Sequence, residues 1–273
     1  MTSIHFQLGV AAGLAISALI AIAAPFAAAF AVHHRTGAPF KYFAVGAAVF
    51  LVSQVLLRLP WQLPLNAFVQ KSTGGRGALV YAFIAFSALT AGIFEEAGRW
   101  LGYRFFIKEE RSWRVGVMYG LGHGGLESVL LVGLNLAAVL VVYVLLSRGF
   151  PLPIPAEKLD LIRAHLSTLT ATRALAGGVE RLFALCIQVA LSLIVLQVFW
   201  RRSLRWLAYA VGLHFVVDFV AVMVARLAGA LFAELVVGAF AAAALVVIAR
   251  LRNVQPIASD ESPPRTEVTT APS

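Results

Sequence analysis

Residues 81–100, YAFIAFSALTAGIFEEAGRW, hold fourteen residues without a charge and then Glu95, Glu96 and Arg99. A run of this kind reads as part of a membrane-spanning helix, and charges inside such a helix are costly unless they are satisfied internally. The rest of the chain supports the membrane reading. Of its 273 residues 60% are hydrophobic and only 13% are charged, too few polar side chains to cover a soluble domain of this length.

Seven apolar blocks follow one another at about 6–32, 40–59, 77–103, 115–147, 179–200, 204–225 and 227–249. Several exceed the roughly 18 residues that mark a membrane span. The expected fold is all-α, a polytopic transmembrane bundle of about seven spans over residues 1–252. The polar, Pro-rich remainder, 253–273, is expected to be disordered. The first block has no Lys or Arg before it and is too long for a signal-peptide core. The longest connection, 151–178, contains LDLIRAHLSTL, an amphipathic stretch suited to the membrane interface.

The net charge of +9 does not point to nucleic acid, because the cations fall in the gaps between apolar blocks. Twelve lie on the face shared by connections one, three and five and the C-terminal tail. Eight lie on the other face, Arg58 among them. By the positive-inside rule the N-terminus is outside and the C-terminus cytoplasmic. Trp100, Trp113, Trp200 and Trp206 fall at the same expected inner boundary. The single Cys186 lies in an apolar block, where neither an internal disulfide nor a zinc motif can form around it.

The ionisable residues placed inside the membrane are few: Glu95, Glu96 and Arg99 on span three, His123 and Glu127 on span four, His214 and Asp218 on span six. Each costs about 2.5–3.5 kcal/mol at mid-span, and together they cost on the order of 20 kcal/mol if left unpaired. Glu95 lies nine residues before Arg104, His123 nine after Arg114 and His214 nine after Arg205. At 1.5 Å per residue all three sit roughly 13 Å inside the cytoplasmic boundary, so three helices bring polar groups to one level. His123 and Glu127, His214 and Asp218, and Glu95 and Arg99 are each four apart and share a helix face. Arg99 can clamp one carboxylate and leave the other free, the asymmetry that general-base chemistry requires.

Plainer readings exist for each residue alone. Glu96 and Arg99 suit a structural ion pair, and an intramembrane His suits a helix-to-helix hydrogen bond. Glu180 and Arg181 suit a second ion pair, and Gln188 a hydrogen bond into the bundle. The run GLGHGG, residues 120–125, matches a dinucleotide fingerprint by letter but opens a membrane helix instead of following a strand. Its glycines suit close approach of a neighbouring helix or an extended substrate.

EEAGR at 95–99, YGLGHGGLE at 119–127 and HFVVD at 214–218 resemble the motifs of the YhfC family of intramembrane proteases. That family is related to the CAAX-processing, bacteriocin-processing and PrsW proteases. The likeness spans about residues 93–218 and rests most on GHGG-x-E. Two positions depart from CAAX-type patterns, since EExxR is one residue shorter than EExxxR and Asp218 stands where Asn is usual, and Gln188 stands near a span-five His of many YhfC relatives. The resemblance implies a CAAX-protease-like core in a bacterial plasma membrane, acting on a membrane protein or peptide. It leaves both a metallo- and a glutamic-type mechanism open.

The expected activity is therefore peptide-bond hydrolysis. Glu95 activates water, Glu96 and Arg99 support it, and His123 and His214 either ligate Zn2+ or donate hydrogen bonds to the oxyanion. Glu127 and Asp218 orient those histidines or supply a carboxylate ligand. A metal would then take His123, His214 and Glu127. The rival expectations are a proton- or cation-coupled transporter, for which intramembrane carboxylates and histidines are equally apt, and a non-catalytic membrane chaperone or sensor. The odd span count and lack of an internal repeat favour the hydrolase over the transporter.

Overall fold

A computed structural model describes residues 5–254. Most of the tail expected to be disordered, and Arg265 within it, lies outside the described residues. Among the described residues eight helices run in order: α1 Leu8–Thr36, α2 Lys41–Thr73, α3 Ala78–Phe105, α4 Trp113–Ser147, α5 Ala156–Ser167, α6 Ala171–Trp200, α7 Arg205–Leu227 and α8 Ala230–Leu251. All except α5 are long and apolar enough to cross a bilayer. The chain is an integral membrane protein with an all-helical bundle, and no strand occurs among the described residues. The short α5 falls on the amphipathic stretch of the longest connection.

Two spans differ from the sequence expectation. α2 does not stop near residue 59 but continues to Thr73. Its segment Leu51–Arg58 is a π-helix, in which the Leu59 amide bonds the Gln54 carbonyl. Pro60 then falls in the first turn after the change of register, where its missing N–H is least disruptive. Arg58 is thus not a boundary cation; it is buried. The second difference is that α6 begins at Ala171, capped by Thr170, whose hydroxyl accepts from the Arg173 amide at 3.3 Å. Gly178 is a helix crossing and not a loop: its amide donates to Ser17 Oγ of α1 at 3.1 Å.

α6 is the most buried span and packs against α1, α3, α4, α7 and α8. α2 crosses the first half of α4 on the other side, backbone against backbone. A Cβ on Gly46 would fall on the Tyr119 carbonyl, and one on Gly122 on the Phe43 carbonyl. The glycines of GLGHGG therefore admit neighbouring helices, here α2 and α6, and this sets how deeply His123 sits between them. α3 closes on α7, and α8 on both α6 and α7. At the end that carries the tryptophans, Trp113 Nε1 donates to the Ile248 carbonyl (2.9 Å) and Trp200 Nε1 to the Arg111 carbonyl (2.7 Å). These bonds tie α4 to α8 and α6 to the α3–α4 loop, fixing the depth at which the three levelled residues meet.

Candidate functional site

Glu95 projects from α3 into the contact between α2, α4, α6 and α7, and its side chain is 5% exposed. His123 of α4 approaches Glu95 Oε2 through Nε2 at 3.0 Å. His214 of α7 stands 3.9 Å from Oε1 through its own Nε2. The three residues placed at one depth by counting turns do meet.

Oε2 is crowded: besides His123, the Arg99 guanidinium and the Gln188 amide each lie at 3.4 Å. Oε1 receives the Gln54 amide, and His214 is its more distant second neighbour. Glu96, one residue on, points elsewhere. It pairs with Arg99 and accepts from His214 Nδ1 at 2.7 Å. Because a carboxylate can only accept, Nδ1 carries the proton and the tautomer of His214 is fixed at that nitrogen. Arg99 also donates to Gln188 Oε1 and so ties both glutamates to α6. Buried charges of this kind persist only when paired and hydrogen-bonded, and Arg99 supplies that for Glu96.

Asp218 lies one turn beyond His214 with Oδ2 at 3.5 Å from Nε2, as its spacing predicts. Glu127, expected to orient His123 or share a metal with it, instead accepts from the Gln188 amide at 2.5 Å and lies 3.5 Å from Arg181 Nη1. His123 takes the edge of Phe50 as its neighbour, and its Nδ1 has no hydrogen-bond partner among the described residues. Arg181 also pairs with Glu180. A cavity of about 90 Å³ separates α4, α6 and α7, lined by Glu127, Glu180, Arg181, Gln188, His214 and Asp218. Its lining is about half polar and half apolar, with Ile187, Leu191 and Val217 among the apolar side chains, and it has room for a few water molecules. Ser128, the serine nearest His123 in sequence, donates to the Ala21 carbonyl at 2.8 Å.

Charge counting does not reach Gln54 and Arg58, because an arginine just ahead of Pro60 reads as a boundary cation. The signal was present: they are four residues apart, the same spacing as the other three pairs.

The donors suit zinc in kind, since imidazole and carboxylate are its usual N and O ligands. His214 also has Glu96 at its other ring nitrogen, the arrangement that orients metal-bound histidines. Their spacing, however, is that of hydrogen bonds. No group of three or more His, Cys, Asp or Glu side chains stands ready to hold an ion among the described residues. Six carboxylates (Glu95, Glu96, Glu127, Glu180, Asp218 and Glu234) face three guanidinium groups (Arg58, Arg99 and Arg181) in and beside the cluster. The formal excess of three negative charges favours bound cations or added protons.

A model of the YhfC intramembrane metalloprotease family matches residues 16–242. An uncharacterized membrane protein YhfC of Bacillus subtilis (strain 168) is 31% identical over 251 residues, covering 88% of this chain and 96% of the relative. No solved structure matches.

Proposed function

This chain belongs to the YhfC intramembrane metalloprotease family, and on that premise we propose that it hydrolyses peptide bonds within or beside the membrane with Glu95 as general base. The observation that carries the reading is the approach of both imidazoles to Glu95, at 3.0 and 3.9 Å, with His214 also lining a cavity inside the bundle. Oε2 is occupied by three donors, whereas Oε1 accepts from the Gln54 amide alone and faces His214 across a wider gap, so Oε1 is the oxygen with capacity to accept a proton. Water attacks the scissile carbonyl carbon as its proton passes to Oε1. The tetrahedral oxyanion is met by Nε2–H of His214 in its doubly protonated form, Nδ1–H being held by Glu96, and protonated Glu95 returns the proton to the leaving amide nitrogen as the C–N bond breaks. Glu96 and Arg99 hold His214 and Glu95 in place throughout. Asp218 sits at the reacting edge of His214.

Zinc, when bound, would be held by His123 and His214 with Asp218 or Glu127 as the carboxylate, and would supply a more acidic water and a Lewis acid for the carbonyl. The substrate is a membrane protein or membrane peptide, reached from the bilayer. The cation count supports a cytoplasmic C-terminus in a bacterial plasma membrane. With Arg58 inside α2, seven of the eight far-side cations remain against twelve.

The test is cleavage by the purified chain in liposomes, alongside Glu95→Gln. Loss of cleavage in a variant that still folds supports the assignment, and full cleavage removes it. Metal analysis of the same preparations, with His123→Ala and His214→Ala, separates the zinc from the glutamic form. Ion-dependent solute flux without cleavage would replace the hydrolase with a transporter.

A further inference from the structure

The π segment of α2 brings two buried polar residues to the back of Glu95, and neither belongs to the three motifs. Gln54 is 4% exposed and Arg58 7%. Arg58 Nη1 donates to Gln54 Oε1 at 3.0 Å, Nη2 to the Ser87 carbonyl at 2.7 Å, and Nε lies 3.3 Å from Thr90 Oγ1. Gln54 Nε2 donates to Glu95 Oε1.

A guanidinium has donors only. Whichever way the amide atoms are named, the oxygen of Gln54 must face Arg58, so its NH2 must face Glu95. A free glutamine there is as able to turn its oxygen toward the carboxylate and repel it. The same arrangement occurs on the other side of Glu95: Arg99 donates to Gln188 Oε1, and the Gln188 amide then lies 3.4 Å from Glu95 Oε2. Each carboxylate oxygen thus faces an amide whose sense is set by an arginine.

We propose that Gln54 and Arg58 are positioning residues for Glu95: Arg58 fixes the sense of the Gln54 amide, and that amide holds the carboxylate so that Oε1 faces His214. The inference rests on Glu95 as the base. It explains why α2 carries an arginine at membrane depth, where a cation has a cost of a few kcal/mol. It also gives the π segment a role, because the helix is rewound over the residues that carry the pair.

The test uses the purified full chain in liposomes and a pool of synthetic transmembrane peptides bearing a quenched fluorophore pair. A second measurement is the infrared carboxylate stretch of Glu95, isolated by subtracting the spectrum of Glu95→Gln. Gln54→Met is the decisive variant, because it leaves the bonds from Arg58 to Ser87 and Thr90 in place. It is expected to lower kcat about 10- to 100-fold with KM within about twofold, and to shift the infrared band. Arg58→Met is expected to do the same. The double variant is expected to be no worse than the weaker single, and Arg58→Lys, which still donates to the amide oxygen, to recover part of the loss.

Unchanged kcat and band in Gln54→Met, or losses that multiply in the double variant, would overturn the proposal and leave the hydrolase reading standing. If the wild-type chain cleaves no peptide, the hydrolase reading falls. The band then decides the positioning claim: an equal shift in Gln54→Met and Arg58→Met supports it, and no shift refutes it.

Discussion

The charges where α3 meets α4 and α7, and those along the α4–α6 wall of the cavity, are built from the same residue types but differ in access. Arg99 and Glu96 are wholly buried and Glu95 is 5% exposed, whereas Arg181, Glu127 and Glu180 are 13, 18 and 37% exposed. In the first group most groups have several partners, and Arg99 alone reaches Glu95, Glu96 and Gln188. In the second, Arg181 spans Glu127 and Glu180 at the edge of open volume. The first is organised before any substrate arrives. The second is placed to exchange partners with whatever enters the cavity.

Glu95→Gln is the largest test of this contrast. It removes the proton acceptor while keeping the shape, and cleavage is expected to fall about 10²–10⁴-fold without loss of folded protein in detergent. Arg99→Met attacks the same group through stability, because it strands Glu96 as a buried charge. A loss of about 3–5 kcal/mol is expected, read as a lower unfolding midpoint or failure to accumulate. Gly122→Ala drives a methyl into the Phe43 carbonyl and separates α2 from α4. About 1–3 kcal/mol of destabilisation is expected from the same unfolding measurement, with cleavage reduced as His123 moves. Arg181→Met changes the open group, and a rise in KM larger than the fall in kcat is expected from steady-state kinetics. If kcat falls as far as in Glu95→Gln, the two groups do not differ as described. Arg114→Gln is the smallest case. Its pair with Glu110 at 2.6 Å is 44 and 32% exposed, and a change under about 1 kcal/mol is expected in the same unfolding assay.

The sequence was most informative where helical geometry alone carried the inference. Counting nine residues from three boundary cations placed Glu95, His123 and His214 at one level, and they are in contact or close to it. The four-residue spacing of His214 and Asp218 became a contact. The same spacing in His123 and Glu127 did not, because Gln188 and Arg181 of α6 take the Glu127 carboxylate. Spacing on one helix says which side chains share a face; the neighbouring helix decides which of them it engages. Gln54 and Arg58 were missed for a related reason. Pro60 and Pro64 after an arginine look like the end of a span, and only a π segment and a continuous helix to Thr73 carry Arg58 into the interior.

Hydrophobic length and helical rise are local properties, so the seven spans, the membrane setting and the set of charges too costly to leave in lipid are legible in the residues alone. Which partner each charge has, the contact of two glutamines with Glu95 and the part played by α2 came from helix packing. Those outcomes depend on how closely helix backbones approach and at what rotation, which no single segment encodes.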